Sequence, residues 1–179
     1  MGFFDYEKAF SAYKNDAFMM DILSCYQDMD DYHLLRDANL TEEIAASVQI
    51  PRSAAAYRKW LDICDGGLLF STTLLGRSDY DAELELPFST LSEMNSEENR
   101  AGYGLPDGYF IIALLNYGAP VCLSDKDEKV YLWDPEEEIF ETVWDTFADY
   151  LADEYNTAIS MLEDGALNPI PLKTEGDEE

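Results

Sequence analysis

Four short apolar runs between residues 109 and 143 limit the possible folds of this chain more than any other feature. The runs cover residues 109–115, 120–123, 129–133 and 139–143. Between them stand three turn-forming sequences, Asn116-Tyr117-Gly118, Ser124-Asp125-Lys126-Asp127 and Asp134-Pro135-Glu136-Glu137. Clusters of Asn, Asp, Gly and Pro mark turns, and connections this short join antiparallel strands. The pattern therefore predicts an antiparallel β-meander.

Helical periodicity dominates the two ends of the chain. Apolar residues recur every three to four positions over residues 3–35, with an interruption at Asn15-Asp16. A second stripe predicts a closing helix over residues 145–163, capped at its start by Asp145 and followed by Gly165. Its members expected to be buried are Phe147, Leu151, Tyr155 and Ile159.

The middle of the chain alternates between helix and strand signals. A helix over residues 53–64 is predicted after Pro51, with Ser53 as its cap and Gly66-Gly67 at its end, followed by a strand over residues 68–75. Short helices are expected after Thr41 and between residues 88 and 100. The order predicts an α+β fold with N-terminal helices, a central, mostly antiparallel sheet and a closing C-terminal helix. We expect one domain over residues 1–165, with residues 1–39 as a helical extension and residues 166–179 as an acidic tail.

The charge is strongly unbalanced. Lysine and arginine total 11 and aspartate and glutamate total 38, which gives a net charge of −27. Residues 121–179 alone carry 3 basic and 18 acidic side chains. Such a surface repels nucleic-acid phosphates and anionic membranes, so we expect neither as a direct partner. It attracts basic proteins, although an acidic surface also serves solubility alone.

Nothing in the sequence indicates catalysis, a cofactor or a metal. His33 is the only histidine, and no nucleophile motif accompanies it. Cys25, Cys64 and Cys122 are too scattered for a zinc site or a disulfide framework, and the acidic turns lack EF-hand spacing. Scattered thiols fit a reducing compartment, and the N-terminus lacks the basic and apolar regions of a signal peptide. We therefore expect a cytoplasmic protein that is not an enzyme.

Three passages together resemble the SUKH superfamily. The first runs from Ile50-Pro51 through Tyr57 and Trp60-Leu61 to Gly66-Gly67, the second is the alternation of strands and acidic turns over residues 109–133, and the third spans residues 143–151. The resemblance covers residues 40–163. Asp145 stands where the family commonly has serine, and the N-terminal helical stretch is not part of the shared pattern.

The resemblance implies a binding module, and many bacterial members are immunity proteins that silence a cognate toxin, often a nuclease. The runner-up is a phage-type nucleic-acid mimic or a regulatory adaptor; the oligomeric state stays open. Alternating charges over residues 79–85 equally fit an exposed edge strand protected from pairing. The candidate partner-binding residues combine that segment with the acidic turns: Asp79, Tyr80, Asp81, Glu83, Glu85, Asp125, Asp127, Glu128, Asp134, Glu136, Glu137 and Glu138.

Overall fold

The computed structural model describes residues 3–38, 50–77 and 89–170 of the 179-residue chain. The predicted helix after Thr41 and the acidic segment 79–85 lie outside the described residues. So does most of the predicted tail, since the description ends at residue 170.

The described residues contain seven antiparallel strands in one sheet, in which each strand pairs with the next one in sequence order. The four strands predicted between residues 109 and 143 are confirmed, with ends within one residue of those expected. The α+β fold and its meander are therefore confirmed. The strands are β1 Leu34–Asp37, β2 Cys64–Leu68, β3 Thr72–Leu74, β4 Tyr109–Leu115, β5 Pro120–Ser124, β6 Val130–Asp134 and β7 Ile139–Trp144.

The predicted N-terminal helical stretch consists of two helices separated by a break. Asp16 caps the second helix, because its carboxylate accepts a hydrogen bond from the Met19 amide. The prediction that the helix continues to residue 35 was wrong: a 3₁₀ turn over Asp30–Tyr32 leads directly into β1. The α-helices of the described residues are α1 Tyr6–Ala12, α2 Ala17–Asp28, α3 Ala55–Leu61, α4 Leu91–Met94, α5 Glu97–Gly102 and α6 Phe147–Glu163.

Gly66 and Gly67 lie inside β2, so the prediction that they end a helix was wrong; α3 ends earlier, at Leu61. Gly66 has φ 77°, and a β-carbon there would lie 2.6 Å from the carbonyl oxygen of Leu74. A β-carbon on Gly67 would overlap the carbonyl oxygen of Leu34. The glycines are therefore needed where β1 and β3 approach the backbone of β2 from either side.

Two further predictions for this region were wrong. Ser53 does not cap α3; its hydroxyl donates to the carbonyl oxygen of Ser124, 2.9 Å away, and thereby joins the approach to α3 to the end of β5. The strand predicted over residues 68–75 is instead the end of β2, a turn over residues 69–71 and the separate strand β3.

The closing helix is confirmed, with its start and buried face shifted. Thr146, not Asp145, is the N-cap, since its hydroxyl accepts from the Asp149 amide. Phe147 and Leu151 are buried as predicted, whereas Tyr155 and Ile159 are only half-buried. The fully buried face continues instead through residues 150, 154 and 158. Gly165 follows the C-cap with φ 69°, as expected of a helix-ending glycine.

The C-terminal half of the sheet has different neighbours on its two faces. Cross-strand register places Trp144 beside Val130, and the Trp144 ring contacts Tyr150 of α6, with ring centroids 5.1 Å apart. The opposite face carries Trp133, whose indole donates to the carbonyl oxygen of Tyr103 just after α5. Side chains are therefore packed on both faces of the sheet, against α6 on one face and against α4 and α5 on the other.

Candidate partner-binding surface

The two acidic turns of the meander lie at opposite ends of the sheet. The β5–β6 turn carries Asp125, Asp127 and Glu128, whereas the β6–β7 turn carries Asp134 and residues 136–138. Consecutive hairpins of a meander turn at alternate ends, so the fold does not bring these two groups together. The remaining candidates, residues 79–85, lie outside the described residues.

The carboxylates of the β5–β6 turn are partly engaged by the turn itself. Asp127 accepts hydrogen bonds from the Lys129 amide at 3.0 Å and from the Tyr131 hydroxyl at 2.8 Å. The Lys129 ammonium lies 3.6 Å from the carboxylate of Asp145. Desolvation and the hydrogen bond to Asp127 raise the pKa of Tyr131 to about 12. This turn is therefore internally bonded and carries its own cations.

A half-buried aromatic cluster adjoins the β5–β6 turn. The ring of Tyr109 lies 5.3 Å from that of Tyr131 and 4.5 Å from that of Phe140. Val143 pairs with Tyr131 across β6 and β7, and its side chain is exposed. The cluster gives this face an apolar surface beside Asp127.

The β6–β7 turn is more strongly negative. One oxygen of Asp134 accepts hydrogen bonds from the amides of Glu136 and Glu137 at 2.8 and 3.1 Å, which holds the turn in shape. The side chains of residues 136–138 are exposed. From residue 130 to residue 170 the chain carries 11 aspartates and glutamates and no lysine or arginine. The first basic residue that follows this turn in the sequence is therefore Lys173.

A cavity of about 550 Å³ lies at the same end of the sheet, between the β4–β5 and β6–β7 turns. The sequence predicted Asp134 and Glu136 as binding residues, but it did not predict Tyr103, Tyr117 or Glu141. The exposed aromatic ring in the Asn-Tyr-Gly turn was a visible signal for Tyr117, but nothing local indicates Tyr103, which comes from the end of α5. The lining residues are Tyr103, Tyr117, Gly118, Ala119, Asp134, Pro135, Glu136 and Glu141.

Tyr117 lines the cavity together with Asp134 and Glu141. Its side chain is 73% exposed. Partial desolvation, followed by the charges of Glu141 and Asp134, raises its pKa above the usual value. The cavity thus combines an accessible aromatic ring with carboxylates.

The single histidine of the sequence is a core residue. His33 is fully buried, with one ring nitrogen 3.0 Å from the Met29 carbonyl oxygen and the other 2.7 Å from the Tyr6 hydroxyl. Its ring also packs against Tyr26 and Phe70. The burial and these contacts place the His33 ring inside the core.

Glu154 is a buried carboxylate that joins α6 to the β2–β3 turn. It accepts hydrogen bonds from the Ser71 hydroxyl at 2.6 Å and the Ser71 amide at 3.1 Å. Next to it, the hydroxyl groups of Thr72 and Tyr150 lie 2.8 Å apart. Burial raises the pKa of Glu154, although its bonds to Ser71 oppose that shift. The group fastens the helix to the sheet.

A model of the SMI1/KNR4 family (SUKH-1) matches residues 54–153, more than half of the chain. The protein belongs to the SUKH-1 family. The SUKH-1 match begins just before α3, includes β2 to β7 and ends within α6, so α1, α2 and β1 lie outside it. Comparisons with curated proteins and with solved structures gave no match.

The SUKH-1 region contains both acidic turns and every residue that lines the cavity. Within the described ranges, no three His, Cys, Asp or Glu side chains are arranged to hold a metal ion. No helix in those ranges is long and apolar enough to cross a membrane.

Proposed function

We propose that this SUKH-1 protein is an immunity protein, which binds a cognate basic toxin stoichiometrically and neutralises it. The toxin we infer is a nuclease. The observation that carries the proposal is the acidic character of residues 130–170, where 11 aspartates and glutamates occur without a lysine or arginine. Family membership supports a binding role, since the family resemblance implies binding modules rather than enzymes.

The charge argument is one of complementarity. A nuclease needs a positively charged surface to hold phosphates. A protein with a net charge of −27 is drawn to such a surface, and by covering it excludes the nucleic-acid substrate. Inhibition then requires no chemistry from the inhibitor, only a stable complex.

The proposal also includes the cytoplasm as the site of action. A toxin that cleaves nucleic acid must be neutralised where the nucleic acid is. The three cysteines are free thiols, and two of them, Cys64 and Cys122, are buried as small apolar side chains. Free thiols are the usual state in the reducing cytoplasm.

The test uses the product of a basic, toxin-like gene next to the one that encodes this protein. We expect an equimolar amount of this protein to abolish nuclease activity. The association rate should fall steeply with salt, because the Debye length shrinks from about 10 Å at 0.1 M to about 3 Å at 1 M. The dissociation rate should change less, since packed contacts hold the docked state.

Two results would count against the proposal. Tight binding with a salt-independent association rate would reject electrostatic attraction as its basis. Failure to bind any basic neighbour, together with binding to several unrelated DNA-binding proteins, would favour a nucleic-acid mimic or a regulatory adaptor instead.

A further inference from the structure

We propose that the cavity between the β4–β5 and β6–β7 turns receives a lysine or arginine side chain of the basic partner and forms the centre of the interface. The inference rests on the proposed function for the charge of that partner. Both ends of the sheet carry acidic residues, and the inference assigns partner binding to the end with the cavity.

The size of the cavity suits a side chain. Its volume of about 550 Å³ is roughly twice that of either of two other depressions in the described structure, each about 250 Å³. Ligand pockets commonly measure about 300–1,000 Å³. A long cationic side chain can therefore enter it rather than lie across it.

The lining has the chemistry that a cation requires. Tyr103 and Tyr117 supply aromatic rings, while Asp134, Glu136 and Glu141 supply carboxylates, and the described residues that line the cavity include no lysine or arginine. Cations bind favourably over aromatic faces, and hydrogen bonds from a cationic donor to a carboxylate are about twice as strong as neutral ones. The same lining is unfavourable for an anion.

Two exposed side chains at this end of the sheet offer a partner apolar surface beside the carboxylates. Tyr117 is 73% exposed, and Ile139, which pairs with Asp134 across β6 and β7, is 52% exposed. Tyrosine is one of the residues enriched among the energetic centres of interfaces, and the contacts that surround such a centre exclude water from it. A docked partner would therefore strengthen the ion pair at the cavity by desolvating it.

The opposite end of the sheet is less suited to the same guest. Asp127 already accepts two hydrogen bonds there, and Lys129 already pairs with Asp145. An incoming cation would compete with these groups and with Lys126. At the cavity Asp134 also accepts two hydrogen bonds, but both go to the same oxygen, and none of the described lysines or arginines lines the cavity.

The first experiment does not need the toxin. The ¹⁵N-labelled full-length protein is titrated with a short acetylated arginine peptide and, in parallel, with a glutamine peptide of equal length. We expect amide shifts from the arginine peptide to concentrate at residues 103, 117–119 and 134–141, and the glutamine peptide to cause none. Shifts concentrated at residues 125–129, or spread over all acidic segments, would overturn the inference.

The second experiment measures affinity for the toxin in two variants with equal changes of charge. Glu136→Gln with Glu141→Gln alters the cavity, and Asp125→Asn with Glu128→Gln is the matched control at the other end. All four side chains are exposed, so both variants should fold, which thermal unfolding verifies. We expect the cavity variant to lose at least about tenfold in affinity, since loss of desolvated charged contacts exceeds about 1.4 kcal/mol. The control should lose only a small part of that.

The outcomes separate the inference from the proposed function. If both variants lose the same affinity, the effect is one of net charge and the inference is wrong, while the immunity role stands. If the arginine peptide binds at the cavity but the neighbouring gene product does not bind, the inference stands and the immunity role fails. Tyr117→Ala adds a charge-neutral check, because it should weaken binding of both the peptide and the toxin.

Discussion

Replacing Glu154 tests how the closing helix is held to the sheet. Glu154→Ala removes the acceptor of two hydrogen bonds from Ser71 and leaves the Ser71 amide without its carboxylate partner. An unsatisfied buried donor costs about 1–3 kcal/mol, and the relief of desolvating a carboxylate offsets part of this. We therefore expect the free energy of unfolding to fall by about 1–3 kcal/mol. For a chain of this size each kcal/mol lowers the thermal midpoint by about 2–4 °C.

The same residue predicts a pH dependence of defined sign. Burial raises the pKa of Glu154 above its ordinary value of 4.5, so the folded protein takes up this proton more readily than the unfolded chain. The stability from this group is fully present below the unfolded pKa and is lost as the pH rises through the folded pKa. Glu154→Gln does not titrate and keeps an acceptor oxygen, so it provides the matched control.

The assay is urea unfolding of the wild type and Glu154→Gln between about pH 7 and about pH 4. The difference in unfolding free energy should shift in favour of the wild type as the pH falls. Subtracting the variant removes the general effect of titrating the many surface carboxylates. Parallel curves for the two proteins, or a difference that shifts the other way, would refute the reasoning.

Three further predictions concern the stability of the fold. Leu151→Ala, at a fully buried position of α6, should cost about 2–5 kcal/mol in urea unfolding; a loss within experimental error would contradict the packing of this face. Gly67→Ala should prevent β1 from pairing with β2 and unfold the protein. Gly102→Ala should be tolerated, because a β-carbon there meets nothing within 4 Å. Circular dichroism of the two variants tests both expectations. Chelator and reductant added together should leave the thermal midpoint unchanged, because the cysteines are free thiols and the described residues form no metal-ligand cluster; a fall of many degrees would reveal a metal or disulfide.

The meander was predictable because its turns are chemically explicit. Asn-Tyr-Gly and Asp-Pro interrupt short apolar runs, so the ends of β4 to β7 follow from local sequence alone. β1 was not predictable, since the apolar spacing of α2 continues through Leu34 without a break. The prediction that Gly66-Gly67 ends a helix failed for a different reason. These glycines allow the backbones of β1 and β3 to approach β2 closely, and that approach is visible only in the tertiary structure.

Part of the candidate site could likewise be predicted from the sequence, and part could not. The acidic turns are evident from composition, and their location at opposite ends of the sheet follows from the meander topology once the strands are known. The cavity is not predictable, because Tyr103 reaches it from the end of α5 while Tyr117 comes from the β4–β5 turn. The shifted face of α6 had no simple sequence signal either, since a buried glutamate does not belong to an apolar stripe.

Synthesis on the ribosome imposes a delay on this fold. The Tyr26 hydroxyl of α2 donates to the carbonyl oxygen of Leu151 in α6, a partner 125 residues further along the chain. At a translation rate of about 5–20 residues per second, Tyr26 is synthesised roughly 6–25 seconds before Leu151. During that interval Tyr26 lacks its acceptor, and Ile22 lacks the neighbouring α6 residues Ala152 and Tyr155. The nascent chain therefore offers chaperones an amphipathic N-terminal segment until α6 emerges and covers it.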